Sequence, residues 1–415
     1  MRKKLTNLTI VLFSTIITLV AAEYLFRYMI FGDSNLFKQL RDPGKYANIY
    51  TDDYWKLYFA FGGGHPPPKI PHPILGWKGF FDQDSYTHRD EGFVNGRKKV
   101  LLYGDSFAMC IDSVQCFEDI LNADTIFSKN NYLLNYGVGG YGVDQIYLLC
   151  SLSLKLHENP FVVISILPND MDRSILTVRT GQKPYFELEN NQLALKGVPL
   201  NPNPADFYEQ NPPSIKSYIY ARAFNSDLNP FFDPNKMPLD LKEKSLRLNE
   251  KIILQLNDML KTAGVDYVFM IFDNLYNPDG DWRYRHLMSF MHIHKIPYFG
   301  TNDLIADDAV NRDFVFDDYI INGDGHPTSY HNKLVADEIN RFNLDYSNRV
   351  KSKYDYYQSL LDSNSVNSII RKIKLNKEWL SDVKRKSLER KIPLDSMLYL
   401  DAKWIIEDIK SKENQ

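Results

Sequence analysis

The chain has 415 residues, 44% of them apolar and 24% charged, with a net charge of −3. That is an ordinary globular mixture, long enough for one large domain or two smaller ones. It carries no strongly basic field, so nucleic acid is not expected as a partner.

Aromatics reach 14%, with 27 Tyr and 25 Phe. Core packing is the first reading of that richness, and a glycan-facing surface is the second. Cys110, Cys116 and Cys150 leave at least one thiol unpaired within the chain, and all three read as small buried residues. No Cys/His cluster suggests a metal, and the His292-x-His294 spacing is a weak pattern. No cofactor is expected.

At the N-terminus, Arg2, Lys3 and Lys4 precede an apolar run that starts at Leu8. Positive charge before the run favours an N-terminus inside and the remainder outside. Two readings compete. Val20-Ala21-Ala22 suits cleavage of a signal peptide. Against this, apolar character continues through Phe31, interrupted by Glu23 and Arg27, which stand i, i+4 and can pair. Leu8 to Phe31 is then long enough to span a bilayer, and an uncleaved anchor over residues 1–32 is the favoured reading.

Residues 33–75 read as a stalk or lead-in, broken by Gly62-Gly63-Gly64 and Pro66-Pro67-Pro68. The aromatic stretch Tyr54–Phe61 is expected to pack on the domain C-terminal to it. From about residue 98, short continuously apolar runs alternate with helix-length segments. Val100–Tyr103 ends at Gly104-Asp105-Ser106. Tyr132–Leu134 ends at Asn135 and the glycines Gly137, Gly139, Gly140 and Gly142. Phe161–Leu167 ends at Asn169-Asp170, and Tyr267–Phe272 ends at Asp273-Asn274. Such runs predict a parallel sheet covered on both faces, whose ligands bind beyond the carboxyl ends of the strands. Leu248, Ile252, Leu256 and Leu260 predict a helix stopped by Gly264.

Residues 174–238 interrupt the alternation as an insertion. A hairpin about Asn190-Asn191 is expected there, and its aromatic residues Tyr185, Phe186, Tyr208, Tyr218 and Tyr220 are read as a wall of the substrate cleft. Residues 346–415 read as a solvated helical extension with Ile369, Ile370, Ile373, Leu375, Trp379, Leu380 and Val383 as its apolar positions. A protein partner for it is an alternative that the sequence does not name.

A serine needs a base within hydrogen-bond reach, and a tetrahedral acyl intermediate needs donors aimed at its oxyanion. Ser106 after a strand, opening a helix, offers the first requirement together with a distant histidine. Alone, Gly-Asp-Ser is a weak signal. The constellation is specific. Gly104-Asp105-Ser106 resembles the first block of the SGNH (GDSL-type) hydrolases, and Asn135-Tyr136-Gly137-Val138-Gly139-Gly140 resembles the second. Pro168-Asn169-Asp170 resembles the third, and Asp324-Gly325-His326-Pro327 the last. All four stand in the family's order, over roughly residues 76 to 345, and His72–Trp77 looks like the lead-in of membrane-anchored bacterial members.

The resemblance implies a flavodoxin-like three-layer α/β/α sandwich with a central parallel sheet. It implies Ser106 as nucleophile, His326 as base and Asp324 as the acid that orients it. It places the oxyanion hole at Ser106, Gly140 and Asn169. Two departures stand out. Leu167 replaces the glycine that usually opens the third block. Asp324 lies two residues before His326, with Gly323 at the usual place. A shifted carboxylate can still reach the imidazole; otherwise a backbone carbonyl, Asp317 or Asp318 orients the ring.

Each residue also has a plainer use. Ser106 can cap its helix, His326 can be an ordinary loop histidine, Gly140 can serve only a turn, and Asn169 can tie loops. His331 is expected to be structural, and Asp105 and Asp170 to bond backbone groups. Hydrolysis of an acyl ester, an O-acetyl group on envelope polysaccharide being the expected case, is the leading function. O-acyl transfer onto an exported glycan is the first rival, and a catalytically idle glycan-binding or assembly protein the second.

Overall fold

The structure, a computed structural model, describes residues 2–32, 34–62, 70–227, 229, 231–272, 281–312, 316–360 and 365–413. The breaker Pro66-Pro67-Pro68, with Gly63 and Gly64, and the strand-end pair Asp273-Asn274 lie outside the described residues. The chain divides into two compact units, residues 1–78 with 175–248 and residues 79–174 with 249–415.

In the first unit, helix α1 (Arg2–Phe31) is continuous. Its stretch Thr6–Phe31 is 26 residues long and contains an 18-residue window of mean hydropathy 2.0, long and apolar enough to cross a membrane. Leu8, Ile10, Phe13 and Ile17 stand exposed along it. Glu23 and Arg27 pair as their spacing predicts, at 2.8 Å. Helix α2 (Asp52–Ala60) follows, then the short strands β1 (Pro71–His72) and β2 (Gly76–Trp77), which pair antiparallel.

The segment expected as a stalk is folded against residues 175–248. Asp52 accepts hydrogen bonds from Thr177 N at 2.8 Å and Oγ1 at 2.7 Å, and Asp53 accepts one from Ser214 N at 2.8 Å. Leu57 from the aromatic stretch is buried with Ile30, Tyr46, Tyr218 and Ala221. These pairings join residues more than a hundred positions apart, and hydropathy patterning is blind to them.

The second unit holds the central sheet. Strand β3 (Lys98–Tyr103) is followed by helices α3 (Ser106–Met109) and α4 (Phe117–Ala123), strand β4 (Asn131–Asn135) and helix α5 (Val143–Ser153). Strand β5 (Phe161–Ile166) leads into the short helix α6 (Asp170–Arg173). Back in the first unit, β6 (Tyr185–Glu189) and β7 (Gln192–Lys196) form the expected hairpin. Asn190 and Asn191 take φ of 50° and 62° at its turn, the left-handed values a two-residue hairpin loop needs. Helices α7 (Pro204–Gln210) and α8 (Tyr218–Arg222) come next, and α9 (Leu239–Thr262) leads into the second unit with Ile252, Leu256 and Leu260 buried. The sheet is completed by β8 (Asp266–Ile271) and β9 (Tyr298–Gly300), with α10 (Trp282–Ile293) between them and α11 (Thr301–Asn311) and α12 (Ser329–Leu344) after.

The strand order is β4-β3-β5-β8-β9, every pair parallel. This is the flavodoxin-like order that the sequence blocks imply. Val100, Leu102, Phe161, Val163, Val268 and Met270 pack with Phe117 and Leu121 of α4 and with Val335, Ile339 and Phe342 of α12. Leu101, Val162 and Ile164 on the opposite face are equally buried, and α5 packs on β3. Continuous apolar runs, not alternating ones, are what a sheet buried on both faces requires. The chain leaves β3 towards β4 on one side and crosses to β5 on the other, so the strand order reverses at the carboxyl ends of these strands, where ligands of such sheets bind.

The last four helices are α13 (Tyr346–Leu360), α14 (Val366–Leu375), α15 (Lys377–Arg390) and α16 (Leu394–Glu413). They are more than a solvated extension. Ile369, Ile373, Leu380 and Val383 build a core with Met397, Leu398, Ala402 and Ala309 of α11. Arg371 donates to the buried Asp303 at 2.6 Å, and Tyr357 donates to the same carboxylate at 2.9 Å.

Candidate active site

The second unit brings the four sequence blocks together around the switch in strand order. Gly104 ends β3 where a Cβ would lie 2.6 Å from the Ala108 Cβ and 2.7 Å from the Ser165 Cβ, so only glycine lets the turn sit this close to α3 and β5. Asp105 caps α3, its Oδ1 accepting from Phe107 N at 2.9 Å. Ser106 therefore has no capping duty. Its backbone N–H lies in the first turn of α3, where no acceptor within the helix reaches it. Its side chain is half-buried.

The His326 Nε2 lies 3.0 Å from Ser106 Oγ. The Asp324 carboxylate is hydrogen-bonded to Nδ1 of the same ring and accepts from the His326 backbone N at 3.2 Å. The shifted aspartate reaches the imidazole because the loop folds back on itself. Ile321 N donates to His326 O at 2.8 Å, Gly325 N donates to Ile321 O at 2.9 Å, and Gly325 takes φ of 85° between the two residues. A side chain there would be held in a left-handed conformation that only glycine adopts without strain. The hydrogen bond from His326 holds the Asp324 carboxyl below the usual carboxylate range. Asp317 and Asp318 are not needed to orient the ring. Phe107, with its ring centroid 4.8 Å from that of the imidazole, backs the histidine and is itself edge-on to Phe272 at 5.3 Å.

Gly140, with φ of 86°, is the third residue of a turn closed by Tyr141 N to Val138 O at 3.2 Å. Val138 N in turn donates to Gly104 O at 3.0 Å, fastening the second block to the first. Asn169 precedes α6, and its side chain is exposed. Its amide makes no hydrogen bond among the described residues, which leaves its N–H groups available to a ligand. Leu167, where the resembled block opens with glycine, is buried just after β5 and donates its N–H to Asp170 Oδ2 at 2.9 Å.

Three features escaped the sequence reading. The first is Arg173. Its Nη1 donates to Asp105 Oδ2 at 2.9 Å, Tyr141 O at 3.0 Å and Asp170 Oδ1 at 2.6 Å, one cation joining the first three blocks. Asp105 and Asp170 do bond backbone groups as expected, and they also share this partner. Burial, and then the nearby Asp105 charge, push the Asp170 carboxyl well above its ordinary value, while Arg173 pulls it down.

The second is a correction. Cys110 and Cys116 are not separate buried thiols. They form a disulfide with Cα atoms 5.7 Å apart, and only Cys150 is free and buried. The loop they close is fastened close to His326 in the chain, since Gln115 N donates to Ser329 Oγ at 2.9 Å and Asn332 Nδ2 donates to Gln115 O at 2.9 Å. Two cysteines six positions apart in a segment expected to be exported were the available signal.

The third is Glu118. Asn135 Nδ2 donates to its Oε2 at 2.7 Å and to Ala108 O at 2.8 Å, while Asn135 Oδ1 accepts from Gly137 N at 2.9 Å. Burial raises the Glu118 carboxyl to about 7. A carboxyl raised above its unfolded value contributes stability that is complete below the unfolded value and is lost as pH rises through the folded one. Glu118→Gln keeps an acceptor for Asn135 and removes the titration. The variant is expected to lose the fall in stability between about pH 4.5 and 7, gaining on the order of 3 kcal/mol or less over the parent at pH 8. Urea unfolding at pH 5 and pH 8 checks this, and identical pH dependence in both proteins would contradict it.

His331, His292 and His294 have structural partners. His331 is buried against Tyr319 O, and burial pushes it down to about 4. His292 is paired with Gln358 at 2.8 Å, and His294 packs on Phe290. Among the described residues, no group of three His, Cys, Asp or Glu could hold a metal ion.

No protein-family profile and no curated protein matches the chain. Solved structures do. One is a member of the lipolytic protein G-D-S-L family from Veillonella parvula, with 12% identity over 60% of this chain and 99% of its own, at a TM-score of 0.31. Another is an acetylxylan esterase from Geobacillus stearothermophilus, with 12% identity over 58% of this chain and 91% of its own, at a TM-score of 0.33.

Proposed function

We propose that the chain is a serine ester hydrolase of the SGNH type that removes acyl groups, with O-acetyl esters of an exported polysaccharide as the substrate class. The observation that carries this reading is the in-line arrangement of Asp324, His326 and Ser106, with Ser106 Oγ 3.0 Å from His326 Nε2. That line stands beyond the carboxyl ends of a parallel sheet, beside an amide left unpartnered at Asn169.

In the mechanism, His326 Nε2 takes the Ser106 proton as Oγ attacks the ester carbonyl. Asp324 holds the Nδ1–H and favours the imidazolium that forms. The backbone N–H groups of Ser106 and Gly140 and the Asn169 amide receive the oxyanion. When the intermediate collapses, Nε2 protonates the departing alcohol. Water then attacks the acyl-enzyme by the same route in reverse. The half-buried His326 and the exposed Asp324 and Asn169 leave this site open to water, which favours hydrolysis over transfer to a second sugar. The proposed location is the extracytoplasmic side of a membrane, with α1 uncleaved as the anchor. The charges of Arg2, Lys3 and Lys4 support that orientation, and the Cys110–Cys116 disulfide suits an oxidising compartment.

Labelling by a fluorophosphonate probe, together with acetate release from acetylated glycans, tests the reading. Failure of the folded protein to label would overturn it in favour of an idle binding protein. Within the site, Asn169→Ala is expected to lower kcat on an aryl acetate by roughly 10²–10³ with KM changing less, the size of effect when one oxyanion donor is lost. An effect on KM alone would move Asn169 from the oxyanion to ground-state binding.

A further inference from the structure

The Glu23–Arg27 pair does more than neutralise itself within an apolar helix. Glu23 accepts hydrogen bonds from Ser217 Oγ at 2.8 Å, Tyr218 N at 2.8 Å and Ile219 N at 3.2 Å, so a carboxylate of α1 caps the start of α8. Arg27 donates to Lys216 O at 2.8 Å, and its guanidinium lies 4.8 Å from the Tyr218 ring centroid. Phe31 packs edge-on to Tyr218 at 5.3 Å. Helix α8 is thereby fixed to the last turns of α1.

The level of that attachment is set by length. About 20 helical residues cross about 30 Å of hydrocarbon, so a span entered near Thr6 leaves it near Leu25. The capping carboxylate and α8 therefore stand where hydrocarbon gives way to headgroups. The outer surface of α8 and of the helical turn Ala223–Asp227 that continues it has the composition of that zone. Tyr220 is 62% exposed and Phe224 49%, and they stack on each other at 4.3 Å, with Ile219 exposed beside them. Tyr24 and Tyr28 of α1 are exposed at the same level, and Lys216 presents a cation. Flat amphipathic rings with a nearby cation are the residues that settle at a membrane–water interface.

We infer that Ile219, Tyr220 and Phe224 form a foot that rests in the outer interface of the membrane crossed by α1, a lipid contact that holds the exported part of the first unit at a fixed height. The inference rests on the reading of α1 as an uncleaved anchor.

The test uses the full chain in vesicles of phosphatidylethanolamine and phosphatidylglycerol. Tyr220→Cys, Phe224→Cys and Phe13→Cys are labelled singly with an environment-sensitive fluorophore. Nitroxide quenchers are carried on the lipid headgroup or at the centre of the acyl chain. Cys150 is buried and the other two cysteines are bonded, so the introduced thiol takes the label. Labels at 220 and 224 are expected to emit at shorter wavelength than in the same protein in detergent-free buffer with denaturant, and to lose more intensity to the headgroup quencher than to the acyl one. The label at 13 should show the reverse order. Quenching at 13 with none at 220 and 224 would overturn the foot and leave the anchor standing. No quenching at 13 would remove the anchor, and the foot with it.

Discussion

Ser106→Ala is expected to reduce turnover of an aryl acetate by a factor on the order of 10⁴–10⁶ while the protein stays folded. The two halves of this expectation come from different observations. Activity should collapse because Oγ is the atom His326 Nε2 faces at 3.0 Å, and no other hydroxyl is hydrogen-bonded to that nitrogen among the described residues. Stability should hold because, among the described residues, the one other hydrogen bond of Oγ is the 3.5 Å approach to Asp105 Oδ2. Asp105 is the cap of α3, so its N-terminus keeps its cap in the variant. Losing one partly exposed hydroxyl bond changes stability by about 1 kcal/mol or less. Residual activity should come from the oxyanion donors alone, so fluorophosphonate labelling should vanish while weak hydrolysis survives. A folded variant that keeps its rate would remove Ser106 as the nucleophile, and an unfolded one would show that the hydroxyl has a structural duty not visible in its contacts.

The strand ends that carry the candidate site were legible in sequence because one physical pattern marks them repeatedly. Apolar runs at β3, β4 and β5 end abruptly in Gly, Asn and Asp, and a sheet buried on both faces has no other place to put polar residues than its strand ends. The D-x-H spacing looked like a defect when read in one dimension. It is resolved by Gly325, whose left-handed φ cannot be read from the residue name alone, although glycine permits it. Three cysteines do not show by number which two meet, and it is the loop from α3 to α4 that brings Cys110 and Cys116 together. The packing of residues 33–60 on residues 175–248 was missed for a different reason. It depends on Asp52 and Asp53 finding Thr177 and Ser214, and hydrogen bonds over that distance leave no periodic trace. Arg173 belongs to the same class. Next to Asp172 in a short helix, it reads as one more surface charge.

Arg173→Ala is expected to destabilise the second unit by roughly 3–5 kcal/mol, the loss expected when one partner of a buried ionic network is removed. The Arg173 side chain is 13% exposed, while the Asp105 and Asp170 side chains it joins are wholly buried. Without it, two carboxylates share a dry site with no cation, and protonation becomes the remaining way to relieve them. The consequence for pH has a definite sign. The Asp170 carboxyl, already raised by burial and raised further without Arg173, contributes stability only below its unfolded value and loses it as pH rises through the folded one. The variant should therefore fall further behind the parent at pH 8 than at pH 5. Arg173→Lys should recover the charge, but its side chain is one atom shorter and its ammonium falls short of the Nη1 position from which Asp105, Asp170 and Tyr141 O are reached together. Its kcat should drop more than its stability, because Asp105 and the turn carrying Gly140 would no longer be fastened to one point. Adding Asp170→Asn to Arg173→Ala should restore stability at pH 8, since one of the two unpaired charges is then gone. Urea unfolding at the two pH values, with kcat on an aryl acetate, reads all of this. A loss below about 1 kcal/mol that does not change with pH would mean that surrounding polar groups already satisfy the two carboxylates, and that Arg173 is not what holds the three blocks in register.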